Sequence, residues 1–141
     1  MPRPFRTALL RSLLPALALG LAACGGGDSG SSDPGDEHVH AGSATGATCD
    51  SSLTYANFGQ GFMTAYCTSC HDAHLQGPAR SDAPADHNYD TLAGVQKWKS
   101  EIELFAAAGP QATNTQMPPS RPTPDLAARQ KLGAWLACGA P

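Results

Sequence analysis

The sequence is short of several features that common functional classes require. Only 6% of its 141 residues are aromatic, so side chains alone would build a modest core. Lysine and arginine are not clustered anywhere, and a formal net charge of -3 argues against nucleic acid as a partner. No apolar run reaches the roughly 20 residues that a membrane-spanning helix needs. What remains is room for one small domain with appendages.

The first segment, residues 1–23, is arranged like an export signal. Arginines precede an apolar run from Leu13 to Ala23, which is too short to span a membrane but typical of a signal peptide. The run ends in Leu21-Ala22-Ala23-Cys24, which resembles the lipobox of bacterial lipoproteins. This resemblance implies cleavage before Cys24 and acylation of its thiol. We therefore expect export to the bacterial periplasm and a lipid anchor in a membrane, with plain secretory cleavage as the alternative.

Residues 24–48 have the composition of a linker. Glycine, serine and aspartate dominate this stretch, and almost nothing in it can be buried, so the sequence predicts a disordered tether. His38 and His40 interrupt it and could hold a metal weakly, but two chance histidines in a solvated linker are the favoured explanation. From Cys49 onward apolar residues recur at helical spacing, which predicts a folded domain over residues 49–141.

The pentapeptide Cys67-Thr68-Ser69-Cys70-His71 carries the clearest chemical signal of the chain. Its C-x-x-C-H pattern is the sequence signature of covalent haem attachment. Two cysteines three positions apart lie on one face of a helical turn, so both sulfurs can reach one edge of a porphyrin, and His71 can then ligate the iron. A zinc site would need a second cysteine pair, and a thioredoxin-like dithiol would need flanking strands; the sequence has neither. A chance match in a region of structural disulfides is the remaining alternative.

A helix is predicted immediately before this motif, over residues 53–66. Ser52 or Thr54 could cap its start, and Gly59 and Gly61 within it suggest a close approach by another backbone or ring. Aromatic residues at helical spacing form its apolar stripe: Tyr55, Phe58, Phe62 and Tyr66.

Two more helices are predicted after a loop at residues 72–89. One spans residues 91–108, with Asp90 as its N-cap and Gly109-Pro110 as its stop, and the other opens with Thr123-Pro124-Asp125 as cap, proline and first acid. Their apolar faces are Val95, Trp98, Ile102 and Phe105 on the first of these helices, and Leu126, Arg129, Leu132, Trp135 and Leu136 on the second.

Met117 lies in a polar, proline-containing segment, within Met-Pro-Pro, ahead of the last helix. Together with the C-x-x-C-H motif and its flanking helices, this arrangement resembles class I c-type cytochromes over residues 49–141. The resemblance implies that Met117 is the sixth ligand of the iron, with His74 and His87 as rivals. Met63, on the aromatic helix, is expected to pack in the core.

The resemblance carries further expectations about individual residues. In that family a prolyl carbonyl often accepts a hydrogen bond from the axial histidine, and Pro78 and Pro84 both qualify by position. Arg80 could pair with a haem propionate or simply be exposed, and the ring N–H of Trp98 could also reach a propionate.

The first and last helices cross in this family, with a glycine against an aromatic ring. Gly59 or Gly61 against Trp135 would supply that contact. Such a crossing would also bring Cys49 and Cys138 together as a disulfide, a bridge that the family does not require; two free buried thiols are the alternative.

The resemblance thus implies an all-α fold, a small cytochrome c-like helical domain around one covalently attached haem c. Its implied function is one-electron transfer between redox partner proteins by a membrane-tethered carrier rather than by an enzyme, because two axial ligands leave no open iron position. The acidic balance suggests basic docking faces on those partners. A haem-based sensor or ligand-binding protein, and a haem subunit of an oxidoreductase such as a peroxidase, are the alternatives.

Overall fold

The computed structural model describes residues 41–141, and this part of the chain is helical. Its elements, in chain order, are a π-helical turn Tyr55–Gly59, helix α1 Gln60–Tyr66, a 3-10 turn Gly77–Arg80, helix α2 Leu92–Ala106 and helix α3 Leu126–Ala137. No strand forms in this range, which agrees with the predicted all-α class, and no helix in it is long and apolar enough to cross a membrane. The predicted signal peptide, the predicted acylation site Cys24 and the pair His38 and His40 lie outside the described residues.

The segment before the motif starts at Thr54, one of the two predicted caps. The Thr54 hydroxyl accepts the N–H of Asn57 at 3.2 Å, and the Asn57 side chain accepts the N–H of Thr54 at 2.7 Å. This reciprocal pair is a capping box. Ser52 instead donates its hydroxyl to Asp50 at 2.6 Å. The predicted helix is present, but its first turn is π-helical rather than α-helical.

Helix α2 begins and ends differently from the prediction. Its N-cap is Thr91, whose hydroxyl accepts the N–H of Gly94 at 3.2 Å, while the Asp90 carboxylate accepts the N–H of Ala73 at 3.3 Å. The helix ends at Ala106 instead of Ala108, because the next residues are extended and bond elsewhere: the N–H of Ala108 donates to the carbonyl of Arg129 at 3.0 Å. Tertiary hydrogen bonds therefore set both ends.

Helix α3 has Asp125 as its N-cap, where Thr123 was predicted. The Asp125 carboxylate accepts the N–H of Ala128 at 2.8 Å. Leu126 was predicted on the buried face, but it lies in the first turn and is 53% exposed. The other predicted members of that face are buried: Arg129, Leu132, Trp135 and Leu136.

The core forms where the aromatic segment meets α3. Gly59 is buried against Trp135, and a Cβ at that position would overlap the indole ring, whereas a Cβ at Gly61 would meet nothing. The Trp135 ring also lies 6.4 Å from that of Tyr55 and 5.9 Å from that of Phe58, between centroids. The predicted contact of a glycine with Trp135 is thus present, and Gly59 makes it.

Met63 is 1% exposed within this core, as predicted. A disulfide joins Cys49, before the aromatic segment, to Cys138, at the end of α3, with the Cα atoms 4.7 Å apart. This is the pairing that the sequence analysis expected. With a sequence separation of 89 between the cysteines, loop-closure entropy gives the bridge a stabilisation of roughly 4 to 5 kcal/mol.

The last part of the predicted linker packs onto the domain. We call residues 41–48 the strap. The N–H of Gly42 donates to the carbonyl of Leu104 at 2.8 Å, and Thr45 is fully buried, with its N–H and hydroxyl bonded to the Glu103 carboxylate at 3.0 and 2.8 Å. Composition predicted disorder here because small polar residues have little to bury, but these residues are held by their polar groups instead.

Candidate functional site

The C-x-x-C-H pentapeptide continues the last turn of α1. The N–H of Cys67 donates to the carbonyl of Met63 at 2.8 Å, and the N–H groups of Cys70 and His71 donate to the carbonyl of Cys67 at 3.1 and 3.0 Å. These bonds keep the motif in a tight turn. Both cysteines are half-buried, and neither belongs to a disulfide.

A cavity of about 350 Å³ opens beside this turn. It contains three residues that the sequence analysis singled out as attachment or ligand positions, namely Cys67, His71 and Met117. Cys70 does not line it. The remaining lining is Pro84, His87, Tyr89, Glu101, Ile102, Phe105 and Ala106.

His71 is held in one orientation from three directions. Its ring Nδ1 lies 2.9 Å from the carbonyl oxygen of His87, so Nδ1 carries the hydrogen and donates it. The ring stacks on Tyr89, with centroids 4.4 Å apart and planes inclined by 15°, and the N–H of Tyr89 donates to the His71 carbonyl at 2.8 Å. Burial lowers the pKa of His71, which favours the neutral ring. The Nε2 lone pair is therefore available as a ligand.

The acceptor of this hydrogen bond is not the one predicted. Neither Pro78 nor Pro84 accepts from His71; the Pro78 carbonyl accepts the N–H of Ser81 at 3.1 Å, and the Pro84 carbonyl accepts from Arg80 at 2.7 Å. The loop places the His87 carbonyl at Nδ1 instead. A backbone acceptor can come from any residue type, so the sequence carries no signal for it.

Arg80 is buried, which excludes the exposed role, and its donors are used within the loop, which argues against a propionate partner. Only 4% of its surface is exposed. Nε donates to Ala83 O at 3.2 Å, Nη1 to Asp72 O at 2.7 Å and Asn88 Oδ1 at 3.0 Å, and Nη2 to Pro84 O at 2.7 Å and His87 O at 3.1 Å. The loop at residues 72–89 is thus organised around this guanidinium.

Met117 also lines this cavity and is fixed through its backbone. Its N–H donates to the Phe105 carbonyl at 2.9 Å, and its carbonyl accepts from Arg129 Nη1 at 2.9 Å. Arg129 is 4% exposed, and the same Nη1 also lies 2.7 Å from Ala106 O and 2.9 Å from Asn114 O. The sequence analysis placed Arg129 on the buried face of α3 but missed this contact with the ligand candidate.

The two histidine rivals of Met117 are less well placed. His74 is exposed and does not line the cavity. His87 lines it, but Nδ1 lies 3.0 Å from an Asp86 oxygen, Nε2 lies 2.6 Å from a Glu101 oxygen, and the ring stacks on Trp98 at 3.8 Å between centroids. The Trp98 N–H, predicted to reach a propionate, donates to the Asp86 carbonyl at 3.0 Å. The side chains of His87 and Trp98 are thus both bonded to other protein groups.

The thiol of Cys67 is unsuited to thiolate chemistry. Burial raises its pKa to about 12, although nearby Arg129 acts in the opposite direction. A zinc ligand or a redox-active dithiol works as a thiolate and has a lowered pKa. Cys67 is therefore a poorer candidate for a zinc ligand or a redox-active dithiol.

The cavity can therefore offer one imidazole nitrogen and one thioether sulfur from different parts of the chain. This pair suits iron, with the soft sulfur favouring its reduced state. No protein-family model matches the chain, and neither the curated proteins nor the solved structures include a match to it. Any functional proposal therefore depends on the residues of this site alone.

Proposed function

We propose that the chain is a monohaem c-type cytochrome that carries single electrons. The observation that carries the proposal is the meeting of Cys67, His71 and Met117 at one cavity, although Met117 is far from the other two in sequence. A chance C-x-x-C-H match would not require a thioether from a distant loop to lie in the same cavity as the histidine. Nor would it require the histidine to present Nε2 while Nδ1 donates to a carbonyl.

Each residue of the site would have a distinct role in binding haem. Cys67 and Cys70 would form the two thioether bonds, His71 would be one axial ligand and Met117 the other. When bound, the haem would supply a one-electron iron couple. The Tyr89 ring and the His87 carbonyl fix the orientation of the imidazole. Ile102, Phe105 and Ala106 line the cavity with apolar surface that excludes water.

The function that agrees with this ligand set is carriage rather than catalysis. With both axial positions filled by protein groups, no position would remain for a substrate. Acylation of Cys24 would anchor the carrier to a membrane on the periplasmic side, where it would exchange electrons with redox partner proteins.

The decisive experiment is production of the full chain in a bacterial host that attaches haem to exported proteins. We expect a haem-stained band on a denaturing gel, and expect it to disappear when Cys67 and Cys70 are both replaced by alanine. A folded, colourless wild-type protein would contradict the proposal.

A matched pair of methionine variants tests the sixth ligand. Met117→Leu should abolish the weak far-red absorption band that Met-ligated members of the family show in the oxidised state. Met63→Leu, at a buried core position of the same residue type, should leave that band unchanged. If the reduced wild-type protein binds carbon monoxide readily, the sixth position is open, and the haem sensor or enzyme alternative replaces the carrier.

A further inference from the structure

The carbonyl oxygen of His87 accepts two hydrogen bonds, and their donors belong to residues of different roles. One donor is Nδ1 of His71 at 2.9 Å, and the other is Nη2 of Arg80 at 3.1 Å. A carbonyl oxygen has two lone pairs, so both bonds can exist together. Arg80 therefore contacts the group that orients the candidate axial ligand without contacting the ligand itself.

Arg80 brings a buried positive charge to this position. Its side chain is 4% exposed, and no carboxylate in the described part of the chain forms an ion pair with it. Its five hydrogen-bond acceptors are four backbone carbonyls and the side-chain oxygen of Asn88. The charge is thus satisfied by dipoles and is not cancelled by an anion.

A shared acceptor has a predictable effect on an axial ligand. A histidine whose Nδ1–H donates to a strong acceptor becomes a more basic ligand for the metal. A charged donor polarises the carbonyl to which it binds. A guanidinium on the same carbonyl oxygen therefore makes that oxygen a weaker acceptor for the histidine Nδ1–H. A less basic imidazole and a nearby cation both favour the iron state with the smaller positive charge.

We infer that Arg80 is a positioning residue that raises the reduction potential of the haem iron through the His87 carbonyl it shares with His71. This inference rests on the proposed function. The other four hydrogen bonds of Arg80 only close the loop at residues 72–89, so this inference gives the side chain a role beyond folding.

Two arginine variants with the same change of charge provide the test. Arg80→Gln removes the buried cation, whereas Arg121→Gln removes an exposed one. Redox titration of the purified haem proteins should give a lower potential for Arg80→Gln and an unchanged potential for Arg121→Gln. Arg80→Lys keeps the charge and should recover part of the difference.

A nuclear magnetic resonance measurement separates the shared carbonyl from a simple effect of charge. In the reduced, diamagnetic protein labelled with nitrogen-15, the Nδ1–H proton of His71 should shift downfield in Arg80→Gln, because the carbonyl becomes a stronger acceptor. A lower potential with an unmoved Nδ1–H proton would overturn the inference, and so would an unchanged potential in a haem-loaded Arg80→Gln protein.

The wild-type protein supplies a second measurement if Arg80→Gln fails to fold. Couplings through the hydrogen bonds should link the His87 carbonyl carbon both to Nδ1 of His71 and to Nη2 of Arg80. Loss of the second coupling in the haem-loaded protein would overturn the inference. A wild-type protein without covalent haem would instead refute the proposed function, so the two failures are distinguishable.

Discussion

The two buried arginines of this domain bond different segments that line the candidate site, and they do so over different distances along the chain. Arg80 donates to acceptors three to eight residues away, all within the loop that follows His71. Arg129 donates to carbonyls 12 to 23 residues away, at the end of α2 and in the Met117 segment. Both are 4% exposed. Although the two arginines are equally buried, Arg80 closes its own loop, whereas Arg129 links α3 to segments that are distant in the sequence.

This difference indicates how stability is distributed around the cavity. A loop closed by its own short-range bonds can open locally while the helices stay folded. The Met117 segment is held by α3, so it depends on the packing of the whole domain. We therefore expect the His71 side to behave as a local unit and the Met117 side to follow global unfolding.

The largest expected effect separates the two arginines directly. Arg129→Met leaves three carbonyls without a donor in a packed interior, so the free energy of unfolding should fall by about 3 kcal/mol or more. Arg80→Met should cost about 1 to 2 kcal/mol, because carbonyls of a surface loop can turn to water. Urea denaturation measures both, with exposed Lys131→Gln as the control on α3. Equal losses for the two arginines would contradict the proposed difference.

A pair of asparagines tests the same comparison at a smaller scale. Asn114, on the Met117 side, is 3% exposed and bonds the backbone of Ser43 in both directions and the Glu103 carbonyl. Asn88, on the His71 side, contacts Arg80 and Ala85. Asn114→Ala should lower stability by about 2 kcal/mol and Asn88→Ala by about 1 kcal/mol or less. Thermal unfolding gives the order, and the reverse order would contradict the proposed difference between the two sides.

The smallest expected effects concern the caps through which each loop passes into a helix. Thr91→Ala and Asp125→Ala should each cost about 1 kcal/mol, since each removes the acceptor of a helix N–H group. Thr123→Ala, which removes the sequence-predicted cap of α3, should cost a few tenths of a kcal/mol. Chemical denaturation distinguishes these values, and a larger loss for Thr123→Ala would show that the cap of α3 is assigned to the wrong residue.

The sequence predicted those features that depend on the type of residue at both partners. Cysteines pair with cysteines, so Cys49 and Cys138 could be matched once the first and last helices were expected to cross. Only glycine lets an indole ring approach a backbone closely, so the resemblance pointed to Gly59 or Gly61 against Trp135, and the structure selects Gly59. The helical class followed from the spacing of apolar residues, which any amphipathic helix requires.

The sequence could not predict contacts in which one partner is a backbone group. Any residue has a carbonyl, so neither the His87 acceptor nor the targets of Arg80 and Arg129 leave a trace in residue type. The predicted cap of α2 was wrong for a related reason. Asp90 and Thr91 both belong to residue types that favour the N-cap position, and the Asp90 carboxylate accepts the N–H of Ala73 instead, so Thr91 is the cap. The order of the strap was not predicted, because hydrogen bonds hold it in place. Composition indicates only how much apolar surface a segment can bury.

The strap also determines how the domain would respond to a mechanical load. A pull on the chain ahead of residue 41 would act first on the bonds of Gly42, Ser43 and Thr45, and through Asn114 would reach the segment that holds Met117. Peeling would then stop at Cys49, where the covalent bridge to Cys138 passes the force to the end of α3. Tension could thus loosen one face of the cavity while the helices stay joined.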